Sequence, residues 1–250
     1  MAKQSVTEKY KTYLMLERGL SGNSVEAYID DLNKLLNFLG IENLRVEEVR
    51  LEHLQQFIAQ LYDLGISART VARCISGIKS FYGFLLTDGY IQSDPTELLE
   101  MPKIGLKLPS VLSVEEIDML MQAIDLSTKE GRRNKAILEV LYSCGLRISE
   151  LVKLKFSDLF LDEGFIRVEG KGSKQRLAPI SPAAIREIHN YMPDRMKEEA
   201  RKGHEHFLFL SKRKTAISRI MVFHFIKEYA ALANIGKNIS PHTFRHSFAT

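Results

Sequence analysis

The chain has 250 residues, 45% hydrophobic and 26% charged, a globular composition with enough apolar content for one large core or two ordinary ones. No stretch approaches the ~20 apolar residues of a membrane span, and MAKQSVTEKYK lacks a signal peptide's apolar core. Cys74 and Cys144 are too few for a disulfide framework and lack metal-ligand spacing, so a reducing, cytoplasmic location is expected. The net charge of +4 is unevenly spread. Residues 1–103 hold 11 Lys and Arg against 14 Asp and Glu, whereas residues 104–250 hold 24 against 17. Residues 64–87 contain no acid but carry Arg69, Arg73 and Lys79, and residues 206–250 carry seven Lys and Arg against the single acid Glu228. A charge run alone is usually a solvated face, but acid-free windows in both halves suggest two surfaces facing one polyanion.

The first hundred residues predict four short amphipathic helices. The first is weak and lies around Tyr10, Tyr13 and Leu14. The second follows Asn23, with Glu26 completing a capping box, carries Val25, Tyr28, Ile29, Leu32, Leu35, Leu36 and Leu39 on one face, and is expected to stop at Gly40. The third carries Leu51, Leu54, Phe57, Ile58 and Leu61 and ends at Gly65. The fourth starts near Ser67, carries Val71, Ile75, Ile78, Tyr82 and Leu85, and ends at Gly89. Tight connections make these a small bundle. Pro95, Pro102 and Pro109 then forbid one continuous helix, which marks a linker over residues 93–112 between domains at 1–92 and 113–250.

The second half is mixed. SVEE at Ser113–Glu116 is a capping box opening a helix through Ile117, Leu120, Met121 and Ile124. Residues 134–143 are apolar and helical, broken at Gly145. GFIRVEGKGSKQRLAPIS alternates in both arms around GKGSK, a β-hairpin signature. Ser181-Pro182 supplies a cap and first residue for the next helix, residues 207–210 read as a short strand, and residues 217–229 as an amphipathic helix. Ser240-Pro241 opens a last helix that is still running at Thr250 without a stop signal, so the chain is expected to be cut there.

Four signals carry chemistry. Arg147 in CGLRISEL follows a glycine break and begins a helix; the bland reading is a surface charge. GKGSKQR places Lys171, Lys174 and Arg176 at a hairpin tip, either for solubility or as a charged finger entering a nucleic-acid groove. In HTFRH, His242, Arg245 and His246 share one helix face. Two histidines four apart can ligate zinc, but the metalloprotease pattern requires Glu directly after the first, and Thr243 stands there. The fourth signal is SARTVARCISGIKSFYGFL, an acid-free stretch that reads equally as a core helix with a basic outer face. Together these residues fit phosphodiester cleavage. Two guanidiniums clamp the charge on a pentavalent phosphorus with paired donors, and losing one such donor costs roughly 3–4 kcal/mol. A lysine on a hairpin can protonate the leaving oxygen, and a histidine can take or orient the nucleophile's proton. This chemistry needs no metal and no cofactor.

The order of Arg in GLRISEL, Lys in a GKG-type hairpin, then HxxR followed by His resembles the tyrosine recombinases of the phage-integrase and Xer type. The stretch SARTVARCISGIKSFYGFLLTDGYIQSDPTELLEMPKIGLKLPSVLSVEEI is similar to the join between their two domains, so the resemblance spans nearly the whole chain. It implies a mainly α fold: a SAM-like helical core-binding bundle, then an α-rich mixed α/β catalytic domain with a small β-hairpin sheet, closing on DNA like a clamp. It implies that Arg147 and Arg245 bind the scissile phosphate, Lys171 protonates the leaving oxygen, His242 assists the nucleophile and Glu150 supports the site. For DNA contacts the expectation is Arg69, Arg73 and Lys79 in the first domain, and Lys174, Arg176, Lys212, Arg213, Lys214 and His246 in the second.

The family pattern also requires a second histidine or tryptophan and a nucleophilic tyrosine after HxxRH, whereas the nine tyrosines here all precede His242. The 250 residues are therefore expected to bind DNA without a covalent 3′-phosphotyrosine, and to be monomeric without DNA. The partners implied are double-stranded DNA and, at full length, a homo- or hetero-tetramer of recombinases on paired DNA sites, with no membrane. A type IB topoisomerase uses the same constellation, and a non-catalytic recombinase-like DNA-binding protein is a rival of another class. The small N-terminal bundle favours the recombinase. Chromosome-dimer resolution, phage integration and transposon excision are all compatible, with the compact N-terminal start favouring a Xer-like role.

Overall fold

The computed structural model describes residues 5–105, 111–170, 172, 174–237 and 239–248. Lys171 and the side chains of His242, His246 and Phe248 lie outside that description. The chain is mainly α and divides into two compact units, Met1–Leu106 and Lys107–Thr250. Among the described residues, no helix is long and apolar enough to cross a membrane.

The first unit is a bundle of α1 (Val6–Leu16), α2 (Gly22–Ile41), α3 (Leu51–Asp63) and α4 (Ala68–Thr87). The Ser5 and Ser67 hydroxyls cap α1 and α4, accepting from the Glu8 and Thr70 N–H groups. Helix α2 differs from expectation at both ends: it starts after Ser21 rather than Asn23, and it runs through Gly40. A helical glycine costs about 1 kcal/mol relative to alanine, which burial of the adjacent Phe38 and Leu39 outweighs. The chain turns instead at Asn43, in the left-handed region at φ 54°, and the Leu44 N–H donates to the Leu39 carbonyl at 2.9 Å. Gly65 and Gly89 end α3 and α4 in the same way, with Ile66 and Tyr90 donating back to the carbonyls of Leu61 and Leu85. The core gathers Leu14, Leu35, Leu54, Phe57, Ile75 and Phe81. Tyr10 stands edge-on to Phe81 and donates its hydroxyl to the Gly77 carbonyl at 3.2 Å, which stitches α1 to α4.

The second unit is built around α6 (Lys129–Cys144), whose Ala136, Ile137, Leu138, Val140 and Leu141 are all buried. Before it comes α5 (Val114–Gln122), opened by the Ser113–Glu116 capping box. Helix α6 begins five residues ahead of its predicted apolar run, because the Thr128 hydroxyl caps it by accepting from the Gly131 N–H at 3.0 Å. Gly131 is required there: a Cβ would sit 1.8 Å from the Asp125 carbonyl oxygen. After α6 come α7 (Ile148–Leu151) and a three-stranded antiparallel sheet, β1 (Leu159–Phe160), β2 (Phe165–Glu169) and β3 (Gln175–Pro179), in that spatial order. The predicted hairpin is β2 and β3, and β1 is an added strand. Residues 207–210 form isolated bridges, Lys155 with Phe207 and Leu210 with Ala216, rather than a strand. Leu208, Phe209 and Leu210 are all buried, so this segment enters the core without the half-buried alternation of a strand. Helices α8 (Pro182–Lys197), α9 (Arg219–Leu232) and α10 (Pro241–Phe248) complete the unit. The Ser181 hydroxyl caps α8, with Pro182 as its first residue.

Candidate phosphate-binding site

The site grows from the end of α6. Gly145 takes φ 55°, the left-handed conformation that terminates a helix, and buried Leu146 pins the turn that follows. This turn delivers Arg147 to the start of α7 as its N-cap residue. Glu150, one turn later, accepts the Arg147 backbone N–H on Oε2 and the Arg147 Nη1 on Oε1, both at 2.9 Å. Half of the Arg147 side chain stays exposed, so the guanidinium is braced on one edge and open on the other.

Glu150 is held from the opposite side as well. Arg176 of β3 donates Nη1 to Oε1 and Nη2 to Oε2, each at 3.0 Å. The carboxylate is only 3% exposed. Burial alone raises its pKa, but the hydrogen bonds from Arg176 and from the backbone and side chain of Arg147 outweigh it and bring the pKa to about 2. The group is therefore ionised throughout the physiological range.

Arg245 enters from α10, which is seated by fully buried Phe244 and buried Thr243. The Ser247 hydroxyl, on the same helix, accepts the Leu112 N–H at 2.8 Å and donates to the Thr243 carbonyl. From this platform Arg245 Nη1 donates to the Gly145 carbonyl at 2.7 Å. Arg147 and Arg245 are thus anchored on the same α6–α7 turn, 98 residues apart in sequence. Among the described residues each uses one guanidinium nitrogen on a protein acceptor, which leaves other donors of each fork to a ligand. Cys144, beside the turn, is buried, and burial pushes its thiol up to about 11, so it stays an uncharged thiol.

The remaining predicted residues fall into three groups. Lys171, His242 and His246 lie outside the described residues or have side chains that do. Arg69, Lys174, Lys212, Arg213 and Lys214 are exposed, and Lys79 is half-buried on α4. Lys214 adopts φ 62° in the turn between Ser211 and Thr215, and Lys212 lies 3.7 Å from Glu130. Arg73 and Arg176, expected as DNA contacts, are each engaged by a buried carboxylate. Arg73 Nη1 donates to fully buried Asp31 and to the Ala27 carbonyl, while Lys34 holds the other Asp31 oxygen. Two anchoring groups were absent from the expectations: the Gly145 carbonyl and Asp31. A backbone acceptor leaves no mark in sequence. Asp31 does leave one, because it sits three residues after Tyr28 and four before Leu35, inside the apolar stripe of α2.

Residues 110–250 match the Phage integrase family, and residues 7–89 match the Phage integrase, N-terminal SAM-like domain. The chain is 37% identical over 248 residues to Tyrosine recombinase XerD of Staphylococcus haemolyticus (strain JCSC1435), covering 99% of this chain and 84% of that protein. It is 40% identical over 247 residues to Tyrosine recombinase XerD of Chlorobaculum tepidum, covering 97% and 81%. Among solved structures it is similar to the Tn1549 transposon integrase in complex with circular intermediate DNA, at a TM-score of 0.77 and 18% identity over 98% of this chain and 86% of that one. A lambda integrase dimer bound to a COC′ core site superposes at a TM-score of 0.76 with 16% identity, covering 100% and 89%. XerA recombinase is 26% identical at a TM-score of 0.52, covering 98% and 82%. With a capped Arg147, a buried Glu150 and a tethered Arg245 on a fold these proteins share, the chain belongs to the phage integrase family of tyrosine recombinases.

Proposed function

We propose that the function is site-specific DNA recombination of the tyrosine type, to which these 250 residues contribute Arg147 and Arg245 as the clamp on the scissile phosphate. The observation that carries this reading is the anchoring of both guanidiniums on one turn with donors left over. A pentavalent phosphorus gathers negative charge on its non-bridging oxygens, and preorganised forks stabilise that charge without reorganising during the reaction. Lys171, from the β2–β3 connection, is the donor to the leaving 5′-oxygen, and His242 assists the attacking hydroxyl. Glu150 keeps Arg147 oriented. The relatives named XerD and the integrases solved on DNA support duplex DNA as the substrate and a tetramer on paired sites as the working assembly. The match to an N-terminal SAM-like domain supports recombination over topoisomerase action. With duplex DNA as partner, the place of action is the cytoplasm.

The 250 residues themselves are expected to bind duplex DNA as a monomer and to form no covalent adduct. The tyrosine nearest the HTFRH motif, Tyr229, is buried on α9, and its hydroxyl accepts from Asn134 Nδ2 at 2.9 Å. Incubation with a nicked suicide duplex and denaturing electrophoresis tests this: a shifted adduct mapping to any of the nine tyrosines contradicts it. Binding itself should weaken steeply with salt. Lys212→Ala with Lys214→Ala should lower the slope of log K against log salt by about two, since each lost phosphate contact removes about one. An unchanged slope would remove the 211–215 turn from the DNA footprint.

A further inference from the structure

We infer that Arg176 is a positioning residue for Arg147, acting through Glu150, and does not itself hold DNA. The inference rests on Arg147 being a phosphate ligand, as proposed above. Strand pairing sets the direction of the side chain first. Arg176 pairs with Val168 and lies two residues from Ala178, and both Val168 and Ala178 are buried, so Arg176 shares the inward face of β3. Its neighbours Gln175 and Leu177 take the exposed face.

The hydrogen bonds set the role. A carboxylate offers about four lone-pair sites. Glu150 fills four: Oε1 accepts from Arg147 Nη1 and Arg176 Nη1, and Oε2 from the Arg147 backbone and Arg176 Nη2. Arg176 supplies the end-on fork, which fixes both the plane and the rotation of the carboxylate. Arg147 uses what remains, one bond for its helix cap and one for its guanidinium. Without Arg176, half of the lone-pair sites on a carboxylate that water scarcely reaches lose their donors. The carboxylate is then free to rotate, and the brace on Arg147 goes with it.

The same strut joins α7 to the base of the hairpin. The Gly170 N–H donates to the Lys174 carbonyl at 2.8 Å and closes the hairpin above Arg176. A Cβ at position 170 would lie 3.4 Å from that carbonyl oxygen and 3.8 Å from Glu150 Oε1, so the hairpin base and Glu150 are in direct apposition. One anion therefore sets the position of Arg147 and that of the strand that leads out of the Lys171 connection. While Glu150 holds that end-on pair of η nitrogens, Arg176 cannot offer the same pair to a phosphate.

A double-mutant cycle on duplex DNA affinity tests this with the 250-residue protein. Arg176→Met should weaken binding by about tenfold in the native background and by less than about twofold in Arg147→Ala, because the effect passes through Arg147. Equal losses in both backgrounds would mean that Arg176 contacts DNA directly, and would overturn the inference. A second readout is the Arg147 Nε–H NMR resonance in the DNA-free protein. It should shift and narrow in Arg176→Met while the methyl signals of Ile137 and Leu141 stay in place, and an unmoved Arg147 signal would also overturn the inference. If Arg147→Ala leaves affinity unchanged, the phosphate reading fails by itself, and the resonance still decides whether Arg176 positions Arg147. If Arg176→Met does not fold, Arg176→Lys, which keeps the charge and loses the fork, carries both measurements.

Discussion

Replacing Glu150 with glutamine is expected to cost the second unit about 3 kcal/mol at pH 7 and to flatten its acid dependence. The carboxyl has a pKa of about 2 in the folded protein, against an ordinary value of 4.5. A depressed folded pKa stabilises the protein fully above the unfolded value, and that stability is lost as pH falls through the folded one. The difference corresponds to about 3 kcal/mol, present above pH 4.5 and lost progressively down to pH 2. Glutamine keeps the shape, but its amide presents donors where Arg147 and Arg176 also donate, so one oxygen's partners are turned away. Denaturant unfolding across pH 2–7 measures both effects. If Glu150→Gln unfolds with the same acid slope as the native protein, Glu150 is not the buried anion that the site is built on. The two buried thiols separate the units: opening of the second unit exposes Cys144, whereas Cys74 reports on the first.

Arg73→Met should destabilise the first unit by about 2–3 kcal/mol and speed modification of Cys74 by about thirtyfold or more, with Cys144 unaffected. Asp31 has no solvent exposure, and its charge is matched by Arg73 from α4 and Lys34 from its own helix. Removing Arg73 leaves a buried carboxylate with a single partner and takes the side-chain donor from the Ala27 carbonyl. Breaking a fully buried pair costs more, about 3–5 kcal/mol; the partial exposure of Arg73 and the remaining Lys34 reduce the figure here. Meanwhile the salt slope of DNA binding is expected to hold, since Arg73 Nη1 is engaged between α2 and α4. A variant of full stability whose slope falls by about one would return Arg73 to the DNA-facing set.

Arg73 and Arg176 also show where reading the chain residue by residue stops. Both sit in stretches rich in positive charge, and composition counts them with Arg69 and Lys174. Their difference is visible only in register. Arg176 alternates with Ala178 on β3, and Arg73 precedes Gly77 by one turn on the face where α4 meets α2. An inward-facing cation needs a buried anion, and Asp31 within the apolar stripe of α2 announced one. Helix ends follow the same division. Ser113, Ser67, Gly65 and Gly89 act as their types predict, because a cap or a left-handed turn is settled within a few residues. Gly40 does not, because packing at Phe38 and Leu39 carries α2 past it to Asn43.

What the sequence by itself determined, then, is the mainly α architecture and the hairpin, since periodicity and turn chemistry are local properties of the chain; the grouping of Arg147, Glu150 and Arg245 into one site came from the resemblance to a family. Only the tertiary structure decided which acceptor each arginine meets: Asp31 for Arg73, Glu150 for Arg147 and Arg176, and the Gly145 carbonyl for Arg245. Asp31 and Arg73 lie 42 residues apart, Glu150 and Arg176 26, and Gly145 and Arg245 100. A guanidinium's role is set by the acceptor it meets, and folding, not neighbouring sequence, brings that acceptor within 3 Å.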